Sequence, residues 1–275
     1  MKKTNRIKIT FKISAILCTA VLLIHIISMC TFDVITEYKE ASFYSKNIPL
    51  EMDGYKIAFI SDLHSLDSKS LEKIVSKLNI MQLDLLILGG DYHPNNEDMQ
   101  HSMKLLSEVA TADGIYGIEG NHDNYANVFA TMEYYSIQPL SNNGVHIREN
   151  FYLAGVEDLW NRNPNIEKAI EESQPDDFII IAAHNPDLTM KQNTKSIDLI
   201  LSGHTHGGHI TFFGIWAPAL KHLRITDYGQ RFMSGWAKSR DETPVYVSNG
   251  AGLYEKSAPR IFARPQIIII TLYDD

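Results

Sequence analysis

Five apolar runs in this chain each stop at a histidine, an aspartate or both, and that repeated ending limits the possible folds more than any other feature of the sequence. Residues 57–60 run into Ser61-Asp62-Leu63-His64 and 85–88 into Gly89-Gly90-Asp91. Residues 115–118 lead to Gly120-Asn121-His122-Asp123, 179–183 to His184-Asn185-Pro186, and 199–201 to Gly203-His204-Thr205-His206. Strands are expected at 55–60, 83–88, 114–118, 151–156, 178–182, 199–201, 245–247 and 267–272. Helices are expected at 69–81, 97–110, 163–173 and 185–191, the first from the spacing of Leu71, Ile74, Val75 and Leu78. Strands alternating with helices indicate an α/β layered fold with much parallel pairing. In such sheets ligands bind beyond the carboxyl ends of the strands, so the five endings describe one rim.

Taken singly, each ending has an ordinary explanation: Gly-Asn-His-Asp makes a turn, and a histidine before a turn is usually a surface residue. Five in order are a constellation. Asp62 and His64 stand two apart where a loop can aim both at one ion, and His204 and His206 repeat the arrangement. Asp91 follows a glycine pair, and its two oxygens could bridge two ions; Asn121 offers a neutral oxygen and His184 another imidazole. Seven such donors suffice for two divalent ions sharing Asp91 and a bridging hydroxide, a recurrent design for phosphate-ester hydrolysis. The two cysteines, Cys18 and Cys30, lie outside this region. The donors are therefore His, Asp and Asn, which suit Mn, Fe, Zn or Mg. A formal net charge of −8, which becomes −13 without the five cations of residues 1–32, argues against nucleic acid as a partner.

The N-terminus has its own logic. Residues 13–32 hold no Asp, Glu, Lys or Arg, enough length to cross the roughly 30 Å hydrocarbon core of a bilayer as a helix. Lys2, Lys3, Arg6, Lys8 and Lys12 precede the stretch, and Asp33, Glu37 and Glu40 follow it. Positive charge stays cytoplasmic, which leaves 1–12 as a cytoplasmic basic segment and 13–32 as an uncleaved, single-pass signal anchor. A connection at 33–54 and an extracytoplasmic domain at 55–275 follow. Export after cleavage is the alternative, disfavoured by the length of the apolar stretch and by the poor site Ser28-Met29-Cys30. His25, inside the span, reads as incidental.

The motifs Asp62-x-His64, Gly90-Asp91, Gly120-Asn121-His122-Asp123, His184 and Gly203-His204-x-His206 together resemble the calcineurin-like metallophosphoesterases. The resemblance covers about 55–272 and implies a four-layer sandwich of two mixed β-sheets flanked by helices. It assigns one metal to Asp62, His64, Asp91 and His206, and the other to Asp91, Asn121, His184 and His204. It makes His122 the residue that contacts phosphate and protonates the leaving oxygen, with Asp123 orienting its ring. The loop 203–208, Tyr246-Val247-Ser248 with Gly250, and Arg264-Pro265 are similar to a bacterial membrane-anchored or exported subgroup that includes UDP-2,3-diacylglucosamine pyrophosphatase-like enzymes. A lipid-linked phosphate is thus one implied substrate class. His209 and Gln266 depart from the subgroup's pattern, where Gln and an acidic residue are usual.

The expectation is a hydrolase of phosphodiesters, pyrophosphates or phosphomonoesters at the outer face of a membrane; the alternative is a non-catalytic, metal-binding envelope protein that keeps the fold. His93, His209 and Trp216 are candidate substrate contacts. Residues 210–220 carry no charge, and Lys221, His222 and Arg224 follow. That stretch reads either as a strand and turn packed into the core or as an apolar lip beside the site.

Overall fold

A computed structural model describes residues 2–31, 35–93, 95–253 and 259–275. Two six-stranded mixed sheets face each other. The first has the order β1 (Glu37–Tyr44), β12 (Gln266–Tyr273), β2 (Lys56–Ile60), β3 (Leu85–Leu88), β4 (Ile115–Gly117), β5 (Gln138–Pro139). Strands β2 to β5 run parallel, β12 is antiparallel to β2, and β1 is parallel to β12. The second has the order β10 (Gly235–Lys238), β11 (Pro244–Val247), β9 (Leu199–Ser202), β8 (Phe178–Ala182), β7 (Phe151–Gly155), β6 (Asn143–Arg148). Its four inner strands are parallel and its two edges antiparallel.

The inner strands are buried on both faces, so they read as unbroken apolar runs and not as alternating ones. Alternation reappears in what each side chain meets. Ile57 and Phe59 join Phe178, Ile180, Leu199 and Leu201 between the sheets. Ala58 and Ile60 face outward to α2 (Ser68–Leu78), α3 (Asn96–Leu106) and α4 (Tyr125–Tyr134), through Leu71, Met99 and Val128. Helix α2 starts where the Asp67 carboxylate accepts from the Ser70 amide, and buries Leu71, Ile74, Val75 and Leu78 on one stripe. The outer face of the second sheet is covered by one-turn pieces: α5 (Ile166–Ala169) and the 3-10 turns Pro186–Met190 and Gly229–Phe232. The helices expected at 163–173 and 185–191 are therefore shorter than their sequence suggested.

Register decides where the site forms. Ile60 pairs with Leu88 and Leu88 with Gly117 in one sheet; Ala182 pairs with Leu201 and Ser202 with Val247 in the other. The carboxyl ends of five strands thus stop level with one another along the same edge of the sandwich.

The stretch 33–54 is more than a connection: β1 pairs over its whole length with β12. Phe32 and Asp33 lie outside the described residues. Helix α1 (Lys2–Thr31) contains the membrane-span candidate Ile9–Met29, which starts four residues before 13–32 and takes in Lys12. His25 is not incidental. Its ring packs against Phe212, Phe213 and Phe262 with centroids 5.5, 4.9 and 5.0 Å away.

Leu199 sits fully buried between the sheets. Leu199→Ala is expected to cost about 2–5 kcal/mol in urea unfolding of the detergent-solubilised chain. A cost below about 1 kcal/mol would mean that the sheets do not pack through this layer.

Candidate metal centre

The seven expected ligands converge. His206 Nε2 lies 3.3 Å from Asp62 Oδ1 and 3.1 Å from His64 Nε2, and His64 Nε2 is 3.5 Å from Asp91 Oδ2. The same Asp91 oxygen is 3.2 Å from His184 Nε2, which is 3.2 Å from Asn121 Oδ1. His204 Nδ1 closes the second group, 2.7 Å from that Asn121 oxygen. Donor atoms sharing one ion at roughly 2.1 Å and right angles stand about 3 Å apart, so these spacings suit coordination. Asp62, His64, Asp91 and His206 could hold one ion; Asp91, Asn121, His184 and His204 could hold another. Asp62 also lies within ligand reach of Asp91 and His184.

The surroundings prepare the donors. A carbonyl can only accept, so His184 donates its Nδ1–H to Gly89 O at 2.7 Å and His204 its Nε2–H to Ile225 O at 2.9 Å. Each ring thereby keeps its lone pair on the nitrogen that faces the cluster. Burial lowers His64 to about 4 and His204 to about 3, and holds His206 well below the ordinary value, which leaves these imidazoles neutral and able to ligate. Burial also pushes Asp62 up to about 6, against the pull of His184. Burial opposes charge on Asp91 too, but His184, His64 and His122 hold its carboxyl well below the usual carboxylate range. Burial works against charge on His184 as well, yet Asp91 beside it outweighs that and raises it. The centre calls for positive charge, and a divalent cation meets that demand with the donors present.

Backbone geometry is part of the design. Asp62, His64, Asp91, His204 and His206 all take positive φ, from 41° to 70°, a conformation that non-glycine residues seldom adopt. Glycines make room beside them: a Cβ on Gly120 would fall 2.2 Å from Asp91 Oδ1, and one on Gly203 2.4 Å from Asp62 Oδ2. The loops also brace one another. The amide of His204 donates to Asp62 Oδ1 at 3.1 Å, and that of His122 to Asp91 Oδ1 at 2.8 Å.

Asp123 has a role that the sequence did not suggest. Its carboxylate accepts from the amides of Asp91, Tyr92 and Gly120, at 2.7, 3.0 and 2.8 Å. It ties the Asp91 loop to the Asn121 loop, a backbone role beyond the expected orienting of the His122 ring. The His122 side chain is exposed, 5.4 Å from His64 between ring centroids, and lines a cavity of about 440 Å3 over the cluster. Trp160, His209, Ile210, Leu223 and Ile225 line the same cavity. His209 stacks on His206 at 4.6 Å, and burial lowers it to about 4. His93 belongs to a separate polar cavity of about 370 Å3 that reaches His64 from another side with Ser65, Asn95 and Asp98. Trp216 is not among the described residues lining either; it lies on the exposed stretch beyond Ile210.

Two contributors were not foreseen. Trp160 stands edge-on over His204 at 4.5 Å, presented by a turn whose amides at Trp160 and Asn161 donate to Asp158 Oδ1. Arg260 is fully buried and donates to the carbonyl oxygens of Asn249 and Ala263 at 2.8 and 2.9 Å and of His206 at 3.4 Å. A lone arginine in a loop reads as surface, and no local pattern marks Arg260.

The chain belongs to the calcineurin-like phosphoesterase family, whose sequence model matches residues 55–208. It is thus a metal-dependent hydrolase of phosphoesters, and the non-catalytic alternative falls away. Among its relatives is a metallophosphoesterase, YkuE, of Bacillus subtilis, 28% identical over 86% of this chain and 85% of that protein. The phosphodiesterase YaeI of Escherichia coli is 28% identical over 79% of this chain and 82% of its own. A transmembrane protein with metallophosphoesterase domain from Bos taurus is 29% identical over 75% of this chain, which spans only 50% of that longer relative.

Asp91→Ala is expected to remove both metal equivalents from the purified chain together, because one oxygen faces both groups. Retention of two equivalents by elemental analysis would overturn the shared assignment. Gly120→Ala should give the same loss, because its Cβ would fall 2.2 Å from the other oxygen, Oδ1, and push the whole Asp91 carboxylate out of place.

Proposed function

We propose that the protein uses two divalent ions to hydrolyse a phosphodiester, phosphoanhydride or phosphomonoester of a lipid-linked molecule at the outer face of a membrane. The observation that carries this reading is the setting of Asp91 Oδ2. It stands between two groups of ligands, beneath a cavity with Trp160, Ile210, Leu223 and Ile225 in its walls. Charge at the floor and apolar surface in the walls suit a substrate that is itself phosphate at one end and apolar at the other. The basic residues Lys2, Lys3, Arg6, Lys8 and Lys12 in the first part of α1 support an outward-facing domain.

When bound, the two ions supply Lewis acidity and a nucleophile usable at neutral pH. The chain does the rest. Asp62, His64, Asp91, Asn121, His184, His204 and His206 fix the ligand geometry. His122, exposed at the cavity and outside both groups, holds the proton that passes to the departing ester oxygen. Its backbone amide holds Asp91 Oδ1, while Oδ2 faces His64 and His184. Trp160 closes the cavity on the His204 side.

His122→Ala is expected to lower kcat by about 100-fold or more on esters with poor leaving groups, and far less on nitrophenyl esters, with metal content near native. Loss of metal in this variant would make His122 a ligand and end the acid role.

A lipid-linked phosphodiester or pyrophosphate in mixed micelles should be cleaved with at least about ten-fold higher kcat/KM than its water-soluble headgroup analogue, the equivalent of about 1.4 kcal/mol. Equal efficiency on the two would rule out the lipid-linked substrate while leaving phosphoester hydrolysis untouched.

A further inference from the structure

The uncharged stretch after the metal loop is an exposed ledge, not core. Phe212, Ile215 and Trp216 are 54, 77 and 53% exposed, and Leu223 beyond them is 71% exposed. The ledge is held firmly for something so apolar. The Phe212 amide donates to Trp216 O at 2.7 Å, and Thr211 bonds the carbonyl oxygens of Ile261 and Phe262 through its amide and hydroxyl. Phe213 and Phe262 both take left-handed backbone angles, φ 54° and 52°, which bulky residues rarely accept. Strain that presents aromatic rings to the outside is a mark of function. No carboxylate occurs between Ile210 and Thr226, and Lys221, His222 and Arg224 stand exposed along the ledge.

The membrane-span candidate shows what covers this patch. His25, on α1, sets its ring among Phe212, Phe213 and Phe262, while its Nδ1–H is satisfied within the helix by Val21 O at 2.8 Å. Ser28, one turn on, is only 3% exposed. The span Ile9–Met29 has 21 residues, or about 31 Å at roughly 1.5 Å per residue, which matches the hydrocarbon thickness. Its last residue therefore lies near the boundary on the domain side. His25 lies four residues earlier, about 6 Å inside that boundary. Aromatic rings in contact with His25 reach the same depth, within the range at which interfacial segments bury their apolar faces.

We propose that the ledge formed by Phe212, Phe213, Ile215, Trp216 and Phe262 is inserted into the bilayer, docked on the membrane helix through His25. Lys221 and Arg224 meet anionic headgroups at its rim. The cavity over the metal ligands shares Ile210 and Leu223 with this surface, so its mouth opens toward lipid. A lipid-linked substrate reaches the site sideways from the bilayer, without leaving it for water. This rests on Ile9–Met29 spanning the membrane and extends the lipid-linked substrate of the proposed function, but its test does not depend on hydrolysis.

The test uses the full chain with Trp160→Phe and Trp236→Phe, leaving Trp216 as the single tryptophan, reconstituted in phosphatidylcholine–phosphatidylglycerol vesicles. Phosphatidylcholine brominated high on its acyl chain should remove about half of the Trp216 emission, and aqueous iodide little of it. Quenching by iodide and not by brominated lipid, in protein that floats with the vesicles, would overturn the insertion. Failure to float would overturn the span and the insertion with it. Quenching by brominated lipid, with no lipid-linked ester cleaved by the chain that keeps all three tryptophans, would leave the ledge in place and end the lipid-linked substrate alone. Docking has its own measurement. His25→Cys with Phe213→Cys, in a chain with Cys18→Ser and Cys30→Ser, should form a reducible cross-link on mild oxidation, and its absence would overturn the docking.

Discussion

Asp91 concentrates the physics of this fold. Its carboxylate is buried, one oxygen is held by the His122 amide, and the other faces His64 and His184 from two sides. A buried carboxylate beside a second one, Asp62, is tolerable only when positive charge is supplied. His184 alone is raised beside it, while burial keeps His64, His204 and His206 neutral, so two carboxylates face at most one charged imidazole. The position is therefore built for a cation, and the rest of the sandwich is the framework that brings five loops to within ligand distance of it. The level carboxyl ends of β2, β3, β4, β8 and β9 are what make that convergence possible.

Holding it carries a cost, visible in the backbone. Five of the seven expected ligands have positive φ, and such residues cost on the order of 1 kcal/mol or more each. Only a framework stable for other reasons can sustain this. The double-sided burial of the inner strands provides it, and Asp123, through three amide hydrogen bonds, spreads the constraint from the Asp91 loop to the Asn121 loop. Arg260 does similar service on the opposite side by joining His206, Asn249 and Ala263.

Much of this was legible in the sequence, for a definite reason. Strands buried on both faces have continuous apolar runs, and their ends are marked by Asp, Asn or His, mostly beside Gly, so β2, β3, β4, β8 and β9 were found with the candidate ligands that follow them. The edges were not. Strand β1 reads Glu-Tyr-Lys-Glu-Ala-Ser-Phe-Tyr, with little to distinguish it from a solvated linker, because it is stabilised by pairing with β12 along its full length. Edge strands β6 and β10 and the helix α4 were missed on the same ground: half-exposed elements carry a weak pattern and are decided by their neighbours. The role of Asp123 illustrates the other limit. Its place beside His122 suggested a contact with that ring; its carboxylate also accepts from amides about thirty residues away, which no spacing reveals.

The tether between anchor and sandwich is shorter than a linker needs to be. Helix α1 ends at Thr31 and β1 begins at Glu37, so the intervening residues can extend roughly 20 Å at most. The far end is fastened as well: Arg264 donates to Ile35 O at 2.7 Å, and the Glu37 amide to Pro265 O at 2.8 Å. These bonds come from the segment just before β12, the strand that pairs with β1 on one side and β2 on the other. The route from membrane helix to ligand loop therefore passes through two neighbouring strands of one sheet, with no flexible joint among the described residues. With Ile9–Met29 in the bilayer, as proposed, a domain hung so closely stays at the membrane surface. Under the proposed lipid-linked substrate, that tether would give the cavity beside Ile210 and Leu223 a fixed height and a fixed orientation over the bilayer.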